Sequence, residues 1–208
     1  MREYMRKFLI LCLVFISFNA VAKRDFAVFS ELRCEANICY DKESGLPFSG
    51  KLRKFYHNGV VSTSLSYKNG VRDGASHYYY ISGNERKQEI YNNGVINGRL
   101  TEYYDGGNMK FEAQLDNGKL SGIYRKYYED GQIKIDEEYL NGKKQGRARK
   151  FNGNGKLLRE AFYDNGKLID GACYYDNGKK REAFTQKMID AYNNKGIVPC
   201  DIDRLVTF

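Results

Sequence analysis

Residues 123–146 read IYRKYYEDGQIKIDEEYLNGKKQG, two runs of apolar and aromatic residues that each end in a turn signal. The first run leads into Asp130-Gly131 and the second into Asn141-Gly142. Asp-Gly and Asn-Gly pairs favour β-hairpins because both residue types tolerate positive φ angles. The stretch therefore predicts strand, turn, strand, turn, with strands at about 123–128 and 132–140.

This pattern repeats along the chain with a period of 24 residues. Three glycine columns keep the same phase, with a one-residue drift near the end: Gly50, Gly74, Gly98, Gly122, Gly146 and Gly171; Gly59, Gly83, Gly107, Gly131, Gly155 and Gly178; Gly70, Gly94, Gly118, Gly142 and Gly166. A fixed period of this size is typical of a stacked array and not of a single-core globule. Because every unit supplies the same residues again, the repeat also disfavours an enzyme.

Two neighbouring aromatic columns accompany the glycines. The first holds Phe55, Tyr79, Tyr103, Tyr127 and Phe151, and the second holds Tyr56, Tyr80, Tyr104 and Tyr128, then Asn152. Adjacent strand residues point to opposite sides of a sheet, so the two columns are expected on opposite faces. The first column keeps an aromatic in five units and is predicted to pack. The second is predicted to be exposed, or to line a groove, as a binding surface.

These features predict an all-β protein, an elongated single-layer antiparallel sheet of repeated β-hairpins with a short C-terminal capping helix. Residues 50–178 form the repeat array and residues 23–49 an N-terminal cap. Residues 179–195 have helical spacing of apolar side chains, and residues 179–208 are predicted to be a helix and tail that cover the last hairpin. A partner-binding or membrane-surface helix is the alternative.

The first 22 residues have the pattern of a secretory signal peptide: a basic start, a short apolar run and Ala20-Val21-Ala22. The rival interpretation, a transmembrane helix, requires about 20 apolar residues, which is longer than this run. We therefore expect an exported protein, in the periplasm, on the cell surface or secreted. The formal charge of the whole chain is +8, and removal of residues 1–22, with three basic residues and one acidic residue, leaves a mildly basic chain.

Four cysteines remain in the exported chain, and an even number in such a chain suggests disulfides. Three pairings are possible, and Cys34–Cys39 with Cys173–Cys200 is favoured because each pair lies at one end of the array. A zinc site is the alternative, although the spacing between Cys34 and Cys39 has no convincing partner pair; unpaired buried cysteines are the third option. No metal, cofactor or catalytic residue is predicted, and the two histidines, His57 and His77, are read as surface residues on a strand or beside a turn.

One cluster of cations stands out from the mildly basic background. Its members, on two successive units, are Arg125, Lys126, Lys143, Lys144, Arg147, Arg149 and Lys150. Ordinary surface solubility is the favoured interpretation of these residues, and a basic strip that binds an anionic polymer or a lipid head group is the functional alternative. An exported location disfavours nucleic acid as the partner.

The unit resembles the membrane occupation and recognition nexus (MORN) repeat, in the variant class found in bacteria. The stretches that carry the resemblance are Tyr127-Tyr128-Glu129-Asp130-Gly131, Tyr139-Leu140-Asn141-Gly142-Lys143, Tyr163-Asp164-Asn165-Gly166-Lys167 and Pro47-Phe48-Ser49-Gly50-Lys51. The resemblance implies a sheet of successive hairpins that acts as a scaffold or binding surface and has no catalytic residues. It also implies an alternative role as an antitoxin-like component.

The sequence thus predicts an exported, non-catalytic repeat protein that binds an unknown protein or surface polymer. Peripheral binding to anionic lipid or polymer through the basic strip is the alternative. Salt separates the two, because screening weakens a charge-based contact more than an aromatic one.

Overall fold

The computed structural model describes residues 26–200. The predicted signal peptide, residues 1–22, lies outside this range. Fourteen strands form one long, open sheet, and two more form a separate hairpin. Almost all neighbours in the long sheet are antiparallel and consecutive in the chain, so the predicted array of hairpins is confirmed.

The strands follow one another with short turns and with one helix near the C-terminus. They are β1 (Phe26–Val28), β2 (Leu32–Glu35), β3 (Ile38–Asp41), β4 (Gly50–Phe55), β5 (Val61–Lys68), β6 (Val71–Arg72), β7 (Gly74–Tyr79), β8 (Glu85–Asn92), β9 (Val95–Tyr103), β10 (Met109–Asp116), β11 (Lys119–Tyr127), β12 (Ile133–Leu140), β13 (Lys143–Phe151), β14 (Leu157–Asp164), β15 (Lys167–Tyr174) and β16 (Lys180–Ala183), and the helix is α1 (Gln186–Lys195). A single 3-10 turn, Phe29–Glu31, connects β1 to β2.

Local chemistry sets the hairpin geometry. In the Asn141-Gly142 turn both residues have positive φ, 51° and 81°, the conformation that a two-residue hairpin turn requires. The same conformation recurs at the other four Asn-Gly turns of the array. The turn matches the twist of its flanking strands and therefore fixes the register of each pair.

Successive repeats are joined by two recurrent hydrogen bonds. At one edge of the sheet, a tyrosine hydroxyl donates to the backbone carbonyl 23 residues further on, as from Tyr104 to Tyr127 at 3.0 Å. Tyr56, Tyr80 and Tyr128 do the same. At the other edge a turn glycine donates backward, as from the Gly142 amide to the Leu120 carbonyl at 2.7 Å. These bonds lie outside the strand ladders and hold the turns of neighbouring hairpins together.

The N-terminal cap differs from a simple antiparallel continuation of the array. Strand β1 pairs in parallel with β4, and β2 and β3 form the separate hairpin, in which Cys34 lies opposite Cys39. These two cysteines are bonded, as predicted. The hairpin lies so close to Gly70 that a β-carbon there would come within 2.5 Å of Ile38. Only glycine fits at this contact.

The C-terminal cap begins later than predicted, because residues 180–183 form strand β16 and not the first turn of a helix. The spacing of Ala183 and Phe184 fits a helix, but the backbone here pairs with β15 and completes a sixth hairpin. The helix then starts at the side chain of Thr185, which accepts a hydrogen bond from the Met188 amide, and ends at Gly196 with φ 66°. The predicted Cys173–Cys200 disulfide ties the segment after the helix to the sheet.

Apolar burial is concentrated under the two caps. Under the N-terminal cap the buried residues are Leu32, Cys39 and Leu52, and under the C-terminal cap they are Ala148, Ala161, Tyr163, Leu168, Cys173 and Phe184. The aromatic column that was predicted to pack does not form this core: Phe55 is 43% exposed, and the other four members are half-buried. Because the array is a single sheet, most of its enclosed large apolar side chains lie under a cap, and Leu115 in the middle of the array is an exception.

Candidate binding surface

The register of the strands divides the array into two faces. Tyr124 lies opposite Glu137, and Glu137 lies opposite Ala148, so the three share one face. Both caps pack on this side, which we call the capped face. It carries two columns of central residues: Leu52, Ser76, Leu100, Tyr124 and Ala148; Leu65, Glu89, Ala113, Glu137 and Ala161. The opposite side is the open face.

At the centre of the open face the charges compensate one another. Asp136 accepts hydrogen bonds from Arg125 at 2.8 Å and from Arg149 at 2.5 Å, and Arg125 also lies 3.5 Å from Glu112. Tyr127 donates to the same Glu112 at 2.7 Å. Burial raises the pKa of Asp136, but the two arginine hydrogen bonds outweigh it and the net pKa is lowered. This network neutralises the centre of the open face.

The seven cations that the sequence grouped into one basic strip do not share a surface. Arg125, Arg149 and Arg147 are on the open face, where Arg147 lies 4.0 Å from Glu160. Lys126 and Lys150 are on the capped face. Lys144 is bound to Glu137 at 2.7 Å, and Lys143 is exposed beside an Asn-Gly turn. Strand alternation separates residues that are adjacent in sequence.

The second aromatic column, Tyr56, Tyr80, Tyr104 and Tyr128, is not freely exposed. All four side chains are half-buried, and all four hydroxyls are used in the bonds between repeats. Two of the rings carry a lysine ammonium nearby, Lys110 at 5.9 Å from Tyr104 and Lys134 at 5.0 Å from Tyr128. These tyrosines therefore join the repeats, and only their rings are available to line a groove. Asn152 replaces the fifth tyrosine, and its amide still reaches the Asp176 carbonyl.

Two buried glutamates on the capped face are fully engaged. Glu89 is 6% exposed and accepts hydrogen bonds from Tyr78, Tyr91 and Lys87, with Arg72 at 3.6 Å. Burial raises the pKa of Glu89, yet these donors lower it overall. Burial and the neighbouring Glu89 also raise the pKa of Tyr91 to about 12, against the effect of Arg72.

Glu137 repeats this arrangement 48 residues later, with bonds from Tyr139 and Lys144. Burial and the bond to Glu137 raise the pKa of Tyr139. Both carboxylates thus accept hydrogen bonds from neighbouring tyrosine and lysine side chains.

A hollow of about 350 Å³ lies on the capped face between the third and fourth units. Phe111 and Tyr124 contribute tilted rings with centroids 5.6 Å apart. The rest of its lining is Glu102, Tyr104, Lys110, Lys126, Tyr127 and Lys134. Lys110 pairs with Glu102 at 2.8 Å, whereas Lys126 and Lys134 form no ion pair with any residue that the structure describes. The hollow therefore has an aromatic lining and an excess of positive charge.

The predicted candidates that meet at this hollow are Tyr104 and Lys126. Phe111, Tyr124 and Lys134 were not among the predicted site residues. Tyr124 could have been found from its column, in which it is the one aromatic among Leu52, Ser76, Leu100 and Ala148. Phe111 could be placed beside Lys126 only with the register of β10 and β11 in hand.

Two further observations restrict the chemistry of residues 26–200. Within that range there is no group of three or more histidine, cysteine, aspartate or glutamate side chains suited to hold a metal ion. The same range contains no helix long and apolar enough to cross a membrane. His77 is bonded to Glu85 at 2.5 Å, and His57 is exposed in a turn.

An open sheet of repeated hairpins, closed by a cap at each end, defines a β-hairpin repeat protein. Three segments match the family model for the MORN repeat variant, residues 49–69, 120–141 and 144–165. These three segments are therefore MORN repeats of the variant class, as the sequence motifs indicated. A search of curated proteins finds no match to the chain. The family match identifies a repeat that is generally non-catalytic, and it provides no support for the antitoxin alternative.

Proposed function

We propose that the protein is an exported, non-catalytic binding protein that uses the capped face, between its two caps, as the platform for a protein or surface polymer. The observation that carries this proposal is the hollow beside Tyr124 and Lys126, where aromatic rings and unpaired cations meet on the same face. Several other cations of the array, among them Arg125, Lys144 and Arg149, are instead engaged in ion pairs with carboxylates. A solvent-accessible site of this composition favours binding over catalysis.

Export is supported by the pattern of residues 1–22 and by the cysteines. Disulfides persist in oxidising compartments such as the periplasm or the exterior, and both cysteine pairs are bonded in this fold. Intact-mass measurement of protein recovered from its native host tests this part of the proposal. We expect a species that starts at Lys23, and a mature species that retains residues 1–22 would contradict export.

The absence of catalysis is inferred from how the candidate residues are used. His77 is bonded to the carboxylate of Glu85, and the buried Glu89 and Glu137 are saturated by tyrosine and lysine donors. A nucleophile with an adjacent base, the arrangement expected for covalent catalysis, is not found among residues 26–200.

The platform itself is tested by comparing two charge reversals on opposite faces. Lys126→Glu changes the capped face at a position where the preceding repeat already holds Glu102, so the fold should accept it. Arg147→Glu makes the same change on the open face, at a side chain that is 50% exposed. The mature chain and both variants are immobilised and exposed to envelope extract.

We expect Lys126→Glu to lose the material that the unmodified chain retains, and Arg147→Glu to keep it. If both variants retain the envelope material equally, or if only Arg147→Glu loses it, the capped face is not the binding platform. Circular dichroism and thermal melts of the two variants verify that both remain folded.

A further inference from the structure

A row of cations crosses the strands of the capped face beside the hollow. Lys126 lies opposite Ile135, Ile135 lies opposite Lys150, and Lys150 lies opposite Arg159. Residues that pair in this way point to the same side of the sheet. The side chains of Lys126, Lys150 and Arg159 therefore form one row, interrupted only by an isoleucine.

The three cations of this row have no ion-pair partner in the described part of the chain. By contrast, Lys87, Lys110 and Lys144 pair with glutamates on the same face, and Arg125 and Arg149 pair with Asp136 on the other. Three unpaired positive charges therefore lie side by side on the capped face, where an anionic ligand can interact with all of them.

The spacing of the row suits a polymer. Neighbouring strands are about 4.8 Å apart, so Lys126 and Lys150, two strands apart, are separated by roughly 10 Å. This distance is close to the length of two sugar rings in an extended polysaccharide. At the Lys126 end, the tilted rings of Phe111 and Tyr124 offer apolar surfaces on which the C–H face of a sugar ring can stack.

We propose that the capped face binds an acidic polysaccharide, with one sugar ring in the hollow and carboxylates along Lys126, Lys150 and Arg159. This inference rests on the proposed function and specifies its ligand. The binding is non-covalent: each cation donates charge-assisted hydrogen bonds to a carboxylate, and the aromatic rings supply apolar contact. The caps favour a narrow chain over a flat surface, because the β2–β3 hairpin and α1 both lie on this face.

Binding of the mature, disulfide-bonded chain to a defined oligogalacturonate, measured by calorimetry at moderate salt, tests the proposal. A neutral maltooligosaccharide of equal length, a polyphosphate and vesicles containing phosphatidylglycerol are the comparison probes. The variants are Lys126→Glu and Tyr124→Leu, since Leu100 holds the equivalent position one repeat earlier. Lys143→Glu, at an exposed turn outside the row, is the matched control.

We expect saturable binding of the oligogalacturonate, no binding of the neutral oligomer, and about tenfold weaker binding for each row or hollow variant, as for the loss of one charged or stacking contact. Lys143→Glu should bind like the unmodified chain. Failure to bind the oligogalacturonate overturns the proposal. So does equal weakening by Lys143→Glu, or tighter binding of polyphosphate or vesicles with the same dependence on Lys126 and Tyr124.

The two proposals fail in distinguishable ways. If envelope material is still retained and is lost with Lys126→Glu, while the oligogalacturonate is not bound, the platform stands and the acidic polysaccharide is wrong. If retention is also insensitive to Lys126→Glu, the platform itself is wrong.

Discussion

The hydroxyl of Tyr104 donates a hydrogen bond to the backbone carbonyl of Tyr127, which lies 3.0 Å away in the next repeat. Strands β9 and β11, which end at or next to these two residues, are already connected through the backbone hydrogen bonds that each makes with β10. The tyrosine bond therefore adds a second connection at the turns. It gives the second aromatic column a structural role that its position in sequence did not reveal.

Removal of that hydroxyl should therefore destabilise the array. Tyr104→Phe keeps the ring and leaves the Tyr127 carbonyl without its partner, and we expect a loss of about 1 kcal/mol in the free energy of unfolding. Tyr175→Phe is the control, because Tyr175 is 55% exposed and should change stability by less than about 0.5 kcal/mol. Denaturant titration measures both. Similar values for the two variants would show that the bond contributes nothing.

The charge network of the open face should make stability depend on pH. Asp136→Asn leaves Arg125 and Arg149 without their shared carboxylate, and we expect a loss of about 1–3 kcal/mol at neutral pH. The pKa of Asp136 is lowered in the folded state, so its contribution is complete above the unfolded value of about 3.9 and disappears as pH falls through the folded value.

The difference between the parent and Asp136→Asn should accordingly shrink below about pH 4. The exposed Asp190, replaced by Asn, provides a control without this network. Melting curves from pH 3 to 7 test the prediction, and a difference that is constant across this range would contradict it.

The C-terminal cap should be sensitive to a single methyl group at Gly171. A β-carbon there would lie 2.3 Å from the Phe184 ring and 2.5 Å from the Glu160 carbonyl. Since one of these contacts is backbone, the cap must shift, and we expect Gly171→Ala to cost about 1–3 kcal/mol. Gly106→Ala is the matched control, because no atom lies within 4 Å of its β-carbon position. Equal melting temperatures for the two variants would refute the close packing of Phe184.

The two disulfides should contribute unequally. Cys173 and Cys200 are separated by 27 residues and Cys34 and Cys39 by 5. In the chain-entropy model these loops correspond to about 3.5 and about 2 kcal/mol. The Cys173→Ser/Cys200→Ser double variant should therefore unfold at lower denaturant than the Cys34→Ser/Cys39→Ser double variant. The opposite order would indicate that the N-terminal hairpin has the larger role.

The sequence predicted the parts of the fold that depend on short stretches of chain, such as turn conformation and strand order. Asn141-Gly142 fixes a turn and hence a register, and the cysteine positions near the two ends gave the pairs that are bonded. The packed face was misassigned because most large apolar side chains of this single sheet are enclosed by the caps, on the face opposite the exposed Phe55. Burial by a distant segment cannot be read from a strand alone.

The candidate site was predicted less well than the fold. Lys126 and Lys150 were identified, but they were grouped with Arg125 and Arg149, although strand alternation already separates these neighbours. Arg159 was missed because its place beside Lys150 depends on the pairing of β13 with β14. Cross-strand neighbours that are distant in sequence, and not neighbours along the chain, define this surface.

Four successive joints of the array use a forward bond from a tyrosine hydroxyl at one edge and a backward bond from a glycine amide at the other, as at Tyr104 and Gly142. The caps contact only the units at the two ends. The number of hairpins is therefore independent of how the ends are closed. Duplication or loss of one 24-residue unit would change the length of the sheet by about 10 Å and leave both ends intact. The length of the protein can therefore change in evolution by whole repeats without a change in its caps.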